Sequence, residues 1–165
     1  MDKIFIESGY SFDFSSSLHS YSGDINKKDN LSSVDFAIET ENNVFLIEVK
    51  NQDNKNSTKK SKEQFLKDLK NELYPYKIST KFTNMLMRKW IIGDFYQKPI
   101  IFVFILEFQA LSPDIRRRMG KRIFDLLPFS LNKNLQNCRE QFKIFEILSI
   151  DEFTKSYPQF YIKEV

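Results

Sequence analysis

Cysteine occurs once in the 165 residues, as Cys138, and histidine once, as His19. A single thiol excludes an intrachain disulfide and a cysteine-built structural zinc site, and one imidazole leaves no histidine-rich metal centre. Cytoplasmic residence is the expectation that follows. No N-terminal apolar h-region and no apolar run of about 18 residues occurs, so neither secretion nor a membrane partner is expected. Glycine is scarce, and no glycine-rich phosphate loop, internal repeat or heptad run is present. Aromatic residues, in contrast, are abundant: 17 Phe and 7 Tyr in a chain that is 41% hydrophobic. That is enough for one compact domain over residues 1–165 with a substantial core, and it argues against global disorder.

Neither sign of charge dominates, since the formal net charge is +3, but the charges are unevenly distributed. Residues 1–50 carry four Lys/Arg against nine Asp/Glu, whereas residues 51–89 carry ten against four. An acidic centre followed by a basic stretch can hold a metal ion and guide a polyanion to it. The same distribution also fits ordinary solvated helix faces.

The acidic part contains the most ordered pattern in the chain. Alternation predicts two strands, Ser33–Glu39 and Val44–Lys50, joined through Thr40–Asn43. With Thr40 facing Asn43, an antiparallel register sets Glu39 opposite Val44, Ala37 opposite Leu46 and Asp35 opposite Glu48. The period of two puts Lys50 on that same face. Two carboxylates across one ladder repel, which raises one pKa unless a cation sits between them. A hard divalent ion such as Mg2+, with Mn2+ as a substitute, meets that need through oxygen ligands. Lys50 beside it can stabilise developing negative charge, which makes a hydrolytic site for a phosphate ester. An acidic pair on the wet edge of a hairpin, neutralised by Lys50, accounts for the same residues.

Asp35, twelve intervening residues and then Glu48-Val49-Lys50 resemble the PD-(D/E)xK nuclease superfamily, which includes many restriction endonucleases and archaeal Holliday-junction resolvases. The resemblance spans about 20 residues. It implies that Asp35 and Glu48 bind magnesium, that the Val49 carbonyl is a further ligand, and that Lys50 assists the attacking water. It also implies a restriction-endonuclease-like α/β/α sandwich acting on DNA, compatible with repair, recombination or restriction, with a homodimer able to bring a second site to the other strand. Val34 stands where the eponymous proline would be. Gln64 is followed four positions later by Asp68 rather than tyrosine, which departs from the RecB-like exonuclease branch. Without catalysis, the same fold would serve as a nucleic-acid-binding or protein-interaction domain.

The rest of the chain fits an α/β fold. Ile4–Ile6 and the Tyr10/Phe12/Phe14 alternation read as extended chain, and residues 15–32 as a loop. Glu7 and Glu39 are possible auxiliary acids. A lysine-rich bridge with Lys55, Lys59 and Lys60, expected to be mobile until phosphate holds it, leads to a helix that Ser61 and Gln64 would open as a capping box. Phe65, Leu69, Leu73 and Tyr76 recur on one face of that helix, and Pro75 argues against its running on unbroken. A second helix, Thr80–Gly93, carries Phe82, Leu86 and Trp90 as core. Ile100–Leu106 reads as a buried central strand. Ser112-Pro113-Asp114 opens a helix whose Arg116, Arg117 and Arg118 form a basic patch for DNA phosphates, with Ile115, Met119, Ile123 and Leu126 as its apolar stripe. Phe142–Ile150 reads as a strand, Ile150–Phe153 as the start of a short helix, and the tail as an edge strand or dimer contact. The order predicts a mixed sheet with the hairpin at its centre and helices on both faces.

Overall fold

The structure, a computed structural model, describes residues 3–22, 31–71, 73–94, 96–128 and 142–165. The expected polar connector from Ser130 to Gln141, with Cys138, lies outside them.

Five strands form the main sheet. They are β3 (His19–Ser22), β4 (Phe36–Glu39), β5 (Val44–Asn51), β6 (Ile100–Glu107) and β7 (Phe142–Leu148), side by side in that order. The first two pairings are antiparallel and the last two parallel, so the sheet is mixed. The hairpin has the register that its alternation predicts, with Glu39 opposite Val44 and Ala37 opposite Leu46. Thr40 closes the turn, its amide and hydroxyl both donating to the Asn43 carbonyl, at 2.9 and 3.0 Å. β5 and β6 are the two longest strands and lie inside the sheet, which is why both read as nearly continuous apolar runs.

One face of the sheet lies under three helices, α1 (Lys59–Lys70), α2 (Leu73–Ile91) and α3 (Pro113–Leu126). Val44 and Leu46 of β5 and Ile100, Phe102 and Phe104 of β6 point to them and meet Phe65, Phe82 and Met119. The opposite face carries Phe45, Ile47 and Val49, with Ile101, Val103 and Ile105. Helices were expected there too. Instead a second, three-stranded antiparallel sheet covers it, ordered β1 (Ile4–Glu7), β2 (Tyr10–Asp13) and β8 (Tyr161–Glu164), with the short helix α4 (Ile150–Ser156) beside it. The period-two alternation of Tyr10, Phe12 and Phe14 presents every second residue, and so all three rings, to this core, which a strand accomplishes where a helix would scatter them. Phe12, Phe14, Phe45, Phe153 and Phe160 are all within 2% of complete burial. At about 1.5–3 kcal/mol each, they contribute a large share of the apolar burial on this side.

Several local expectations change. Residues 19–22 form an edge strand rather than loop, because β4 supplies the ladder that their own polar composition does not signal. Thr58, not Ser61, caps α1: its side chain accepts from the Ser61 amide at 3.1 Å. α2 begins at Leu73 rather than Thr80, since Pro75 falls in its first turn, where the missing N–H has no helical partner to lose. With the break between α1 and α2 placed earlier, Leu73 and Tyr76 leave the apolar stripe and are 71% and 60% exposed. Trp90, expected in the core, is 66% exposed near the end of α2. Leu126 is exposed and Leu127 takes its place in the core. The bridge after β5, expected to be mobile, is tied down: Asn51 accepts from the Asp53 amide, and Asp53 holds Lys62 at 2.8 Å and the Gln109 amide at 2.5 Å. Ser112 caps α3 as predicted, Ser149 and Glu152 form a capping box on α4, and β8 is the expected edge strand. No helix among the described residues is long and apolar enough to cross a membrane.

Candidate active site

The paired ladder of the hairpin ends at Phe36 and Ile47. One step further in the same register come Asp35 and Glu48. There Asp35 turns its carboxylate onto β5, and Oδ2 accepts the Val49 amide at 2.7 Å. That bond pins the first acid to the strand that carries the second. Glu48 shares the helix-side face with Leu46 and stands beside Phe104 of β6. Both acids line a cavity of about 590 Å3 between the sheet and helices α1 and α2. Such crevices near the carboxyl ends of parallel strands are where open α/β sheets bind ligands.

Glu48 is in an unfavourable position for an anion. It is 6% exposed, and Oε2 is buried with no hydrogen-bond partner. Burial, reinforced by the charge of Asp35, pushes its carboxyl up to about 8, against the downward pull of Lys81. Lys81 reaches from α2 and pairs with Oε1 at 2.5 Å. The sequence reading missed this residue. Tyr74, Lys77, Ile78 and Lys81 line the cavity along one face of α2 at helical spacing, but the pattern is visible only when the helix starts at Leu73.

Lys50 lines the same cavity, its ammonium 5.8 Å from the centre of the Phe65 ring, while the ion pair to Glu48 comes from Lys81. Glu7 also reaches the cavity. The β1–β2 turn carries it there through two left-handed residues, Ser8 and Gly9, and Asn51 donates to the Ser8 carbonyl at 3.0 Å. Gly9 suits that turn because a side chain at its φ of 87° would be strained. Glu39, the other auxiliary candidate, pairs instead with Lys98 at 2.7 Å. Gln64 is not a cap. It lines the cavity and donates to Asp68 at 2.8 Å.

The basic residues divide into two groups. Lys59 and Lys60 are exposed in the first turn of α1, directly before Ser61 on the cavity wall, and Lys55 is exposed in the preceding loop. Arg116, Arg117 and Arg118 lie on α3 and do not line the cavity. Arg116 pairs with Glu152 at 2.5 Å and also donates to the Ile147 carbonyl, joining α3 to β7 and α4. Arg117 pairs with Asp114 at 3.0 Å.

The residues suit a hard divalent ion. Two carboxylates side by side, one with a buried unpartnered oxygen, are the kind of ligand set magnesium uses, with water and substrate oxygens completing its shell. Among the described residues no group of three or more His, Cys, Asp or Glu converges. The three ligands that the nuclease resemblance implies, Asp35, Glu48 and the Val49 carbonyl, belong to residues that all line this cavity. No protein-family model, curated protein or solved structure matches the chain.

Proposed function

We propose that the protein is a magnesium-dependent nuclease that hydrolyses phosphodiester bonds in DNA, cutting within the strand, with a fold of the restriction-endonuclease type. The observation that carries this reading is the meeting of Asp35, Glu48 and Lys50 at one cavity, with Glu48 Oε2 buried and unpartnered. The mixed five-stranded sheet with its active hairpin inside supports it. Mn2+ would substitute for Mg2+ on the same oxygens.

A bound divalent ion would supply an acidic water and offset the charge of the phosphate. The protein's own part is positional. The Val49 amide holds Asp35, and β5 presents Glu48 to the cavity beside it. In the reaction a water oxygen bonds to phosphorus and the bond to the departing sugar oxygen breaks. The water's proton passes to solvent, and the departing oxygen takes one up. Lys50 is the cation for the phosphate: it lines the cavity half-buried, and release from the Phe65 ring would cost about 0.5–2 kcal/mol. Lys59 and Lys60, with Lys55, would hold backbone phosphates at the rim. Two copies would bring two sites to the two strands of a duplex.

A second reading rests on Lys81. Its pairing with Glu48 neutralises that acid without any ion, as a noncatalytic binding domain with the same fold would do. The two readings separate when linear, nicked, flapped and four-way DNA are incubated with Mg2+ or Mn2+. Cleavage of any of them that disappears with EDTA supports the nuclease. Binding without cleavage supports the second reading.

A further inference from the structure

We infer that Lys81 is a placeholder cation: it occupies the metal position in the metal-free protein, and the arriving ion displaces it into the cavity, where its ammonium meets the substrate phosphate. The inference rests on the nuclease reading of the site and concerns how that site is loaded.

The pairing at Glu48 is incomplete as it stands. Lys81 offers its single positive charge to one oxygen of a carboxyl that lies beside that of Asp35. The second Glu48 oxygen is buried with no partner. A divalent ion held by Glu48 would satisfy that oxygen as well, so exchange of Lys81 for the ion would complete the pairing. Without either cation Glu48 would be an almost fully buried carboxylate beside a second acid, which is strongly unfavourable. A lysine there stabilises the empty site without blocking it permanently.

The side chain suits exchange. Lysine carries a compact charge on a flexible four-carbon stem, so its head can move while α2 stays in place. The Lys81 side chain is 19% exposed, against 7% for Glu48, so it reaches its partner from the open side of the cavity. Lys77, one turn earlier on α2, lines the same wall, and the released ammonium would join it to form a second cationic side opposite Lys50. Cation exchange of this kind couples metal loading to phosphate affinity, because the ion creates a new phosphate contact as it binds.

The test uses the intact protein. Mn2+ binding is measured by calorimetry for wild type and Lys81→Met, and lysine reactivity in wild type is followed by amine labelling and mass spectrometry with and without Mn2+. Lys81→Met should bind Mn2+ about tenfold more tightly, because the competing internal pair is gone. In wild type, Mn2+ should raise the labelling of Lys81 while leaving Lys98 unchanged, and duplex DNA added with the ion should protect Lys81 again. If wild type binds Mn2+ but neither Lys81 labelling nor the affinity of the variant changes, the placeholder role is wrong and the nuclease reading stands. Metal binding by the variant alone makes Lys81 a permanent plug and overturns the exchange. No metal binding by either protein removes the inference and the nuclease reading together. The labelling arm needs no variant, so poor folding of Lys81→Met does not leave the question open.

Discussion

Strand β5 has two faces that are alike up to Ile47 and different after it. On one, Phe45, Ile47 and Val49 stay under aromatic rings, with Phe45 5.2 Å from Phe160 and 5.0 Å from Tyr157, centre to centre. On the other, Val44 and Leu46 lie beneath the helices, and then Glu48 and Lys50 open onto the cavity. The sealed face derives its stability from buried apolar surface and has no chemistry to offer. The open face gives up stability by placing an acid next to another acid at the end of an apolar column. A carboxylate in that position is tolerable only when a cation neutralises it. The site is therefore held from behind by the face that does not take part in it.

The sharpest way to break the comparison is to damage the sealed face alone. Phe45→Ala should cost about 3–5 kcal/mol in denaturant unfolding, through lost burial and the cavity left behind. The remaining folded protein should still bind metal. Loss of metal binding in protein shown to be folded would mean that the two faces are not independent.

Damage to the open face should do the opposite. Asp35→Asn, Glu48→Gln and Lys50→Ala should each lower initial DNA cleavage rates by on the order of 100–1,000-fold, equivalent to about 3–4 kcal/mol. Each change takes away a charge at the reacting centre and leaves the aromatic side intact. DNA binding should fall less than cleavage in the lysine variant. Wild-type rates in all three folded variants would remove the site from consideration.

The third expectation uses pH. Glu48 titrates near its ordinary 4.5 when unfolded and at about 8 when folded without metal. Between those values the folded chain holds a proton that the unfolded chain has released, so stability falls as pH rises through this window. The slope is at most about 1.4 kcal/mol per pH unit. Glu48→Gln has no such group, so its stability relative to wild type should increase from pH 4 to pH 9. Saturating Mg2+ should flatten the wild-type curve by taking over the carboxylate. Parallel curves for the two proteins in EDTA would show that Glu48 is not held under strain.

The smallest effects concern the rim. Replacing Lys59 and Lys60 with alanine should lower the salt slope of DNA binding by about one for each lysine, with little dependence on sequence. Arg117→Ala and Arg118→Ala together should lower it less, because Arg117 is paired with Asp114 and neither residue borders the cavity. Anisotropy titrations over a range of salt distinguish the two groups. A larger effect from the arginines would move the DNA path to α3.

What could be read in advance had short-range causes. The hairpin register follows from period-two alternation and from Thr40 closing on Asn43. The start of α3 follows from the Ser112 cap and Pro113, because the cap reaches only three residues along the chain. The strand character of β6 follows from an unbroken β-branched and aromatic run. β3 was not legible, since His19–Ser22 gains its strand identity from pairing with β4. The start of α2 was not legible either, because Pro75 marks a break inside a helix but is harmless in a first turn.

By itself, the sequence determined which residues of the hairpin share a face, and so that Glu48 and Lys50 point the same way: pleating is a local property of the chain. Asp35 lies one residue before β4 rather than within the expected strand from Ser33, and the Val49 amide holds it to β5. Only the tertiary structure decided what surrounds these residues. Glu7 arrives from a turn that Asn51 anchors, and Lys81 arrives from a helix that begins at Leu73. Lys50 comes to rest on Phe65 while Lys81 takes the acid. Lys81 and Glu7 lie more than thirty residues from Glu48 in the chain, on elements that meet it only in the folded protein. Periodicity carries no information about such distant contacts, because they form only when separate elements pack together.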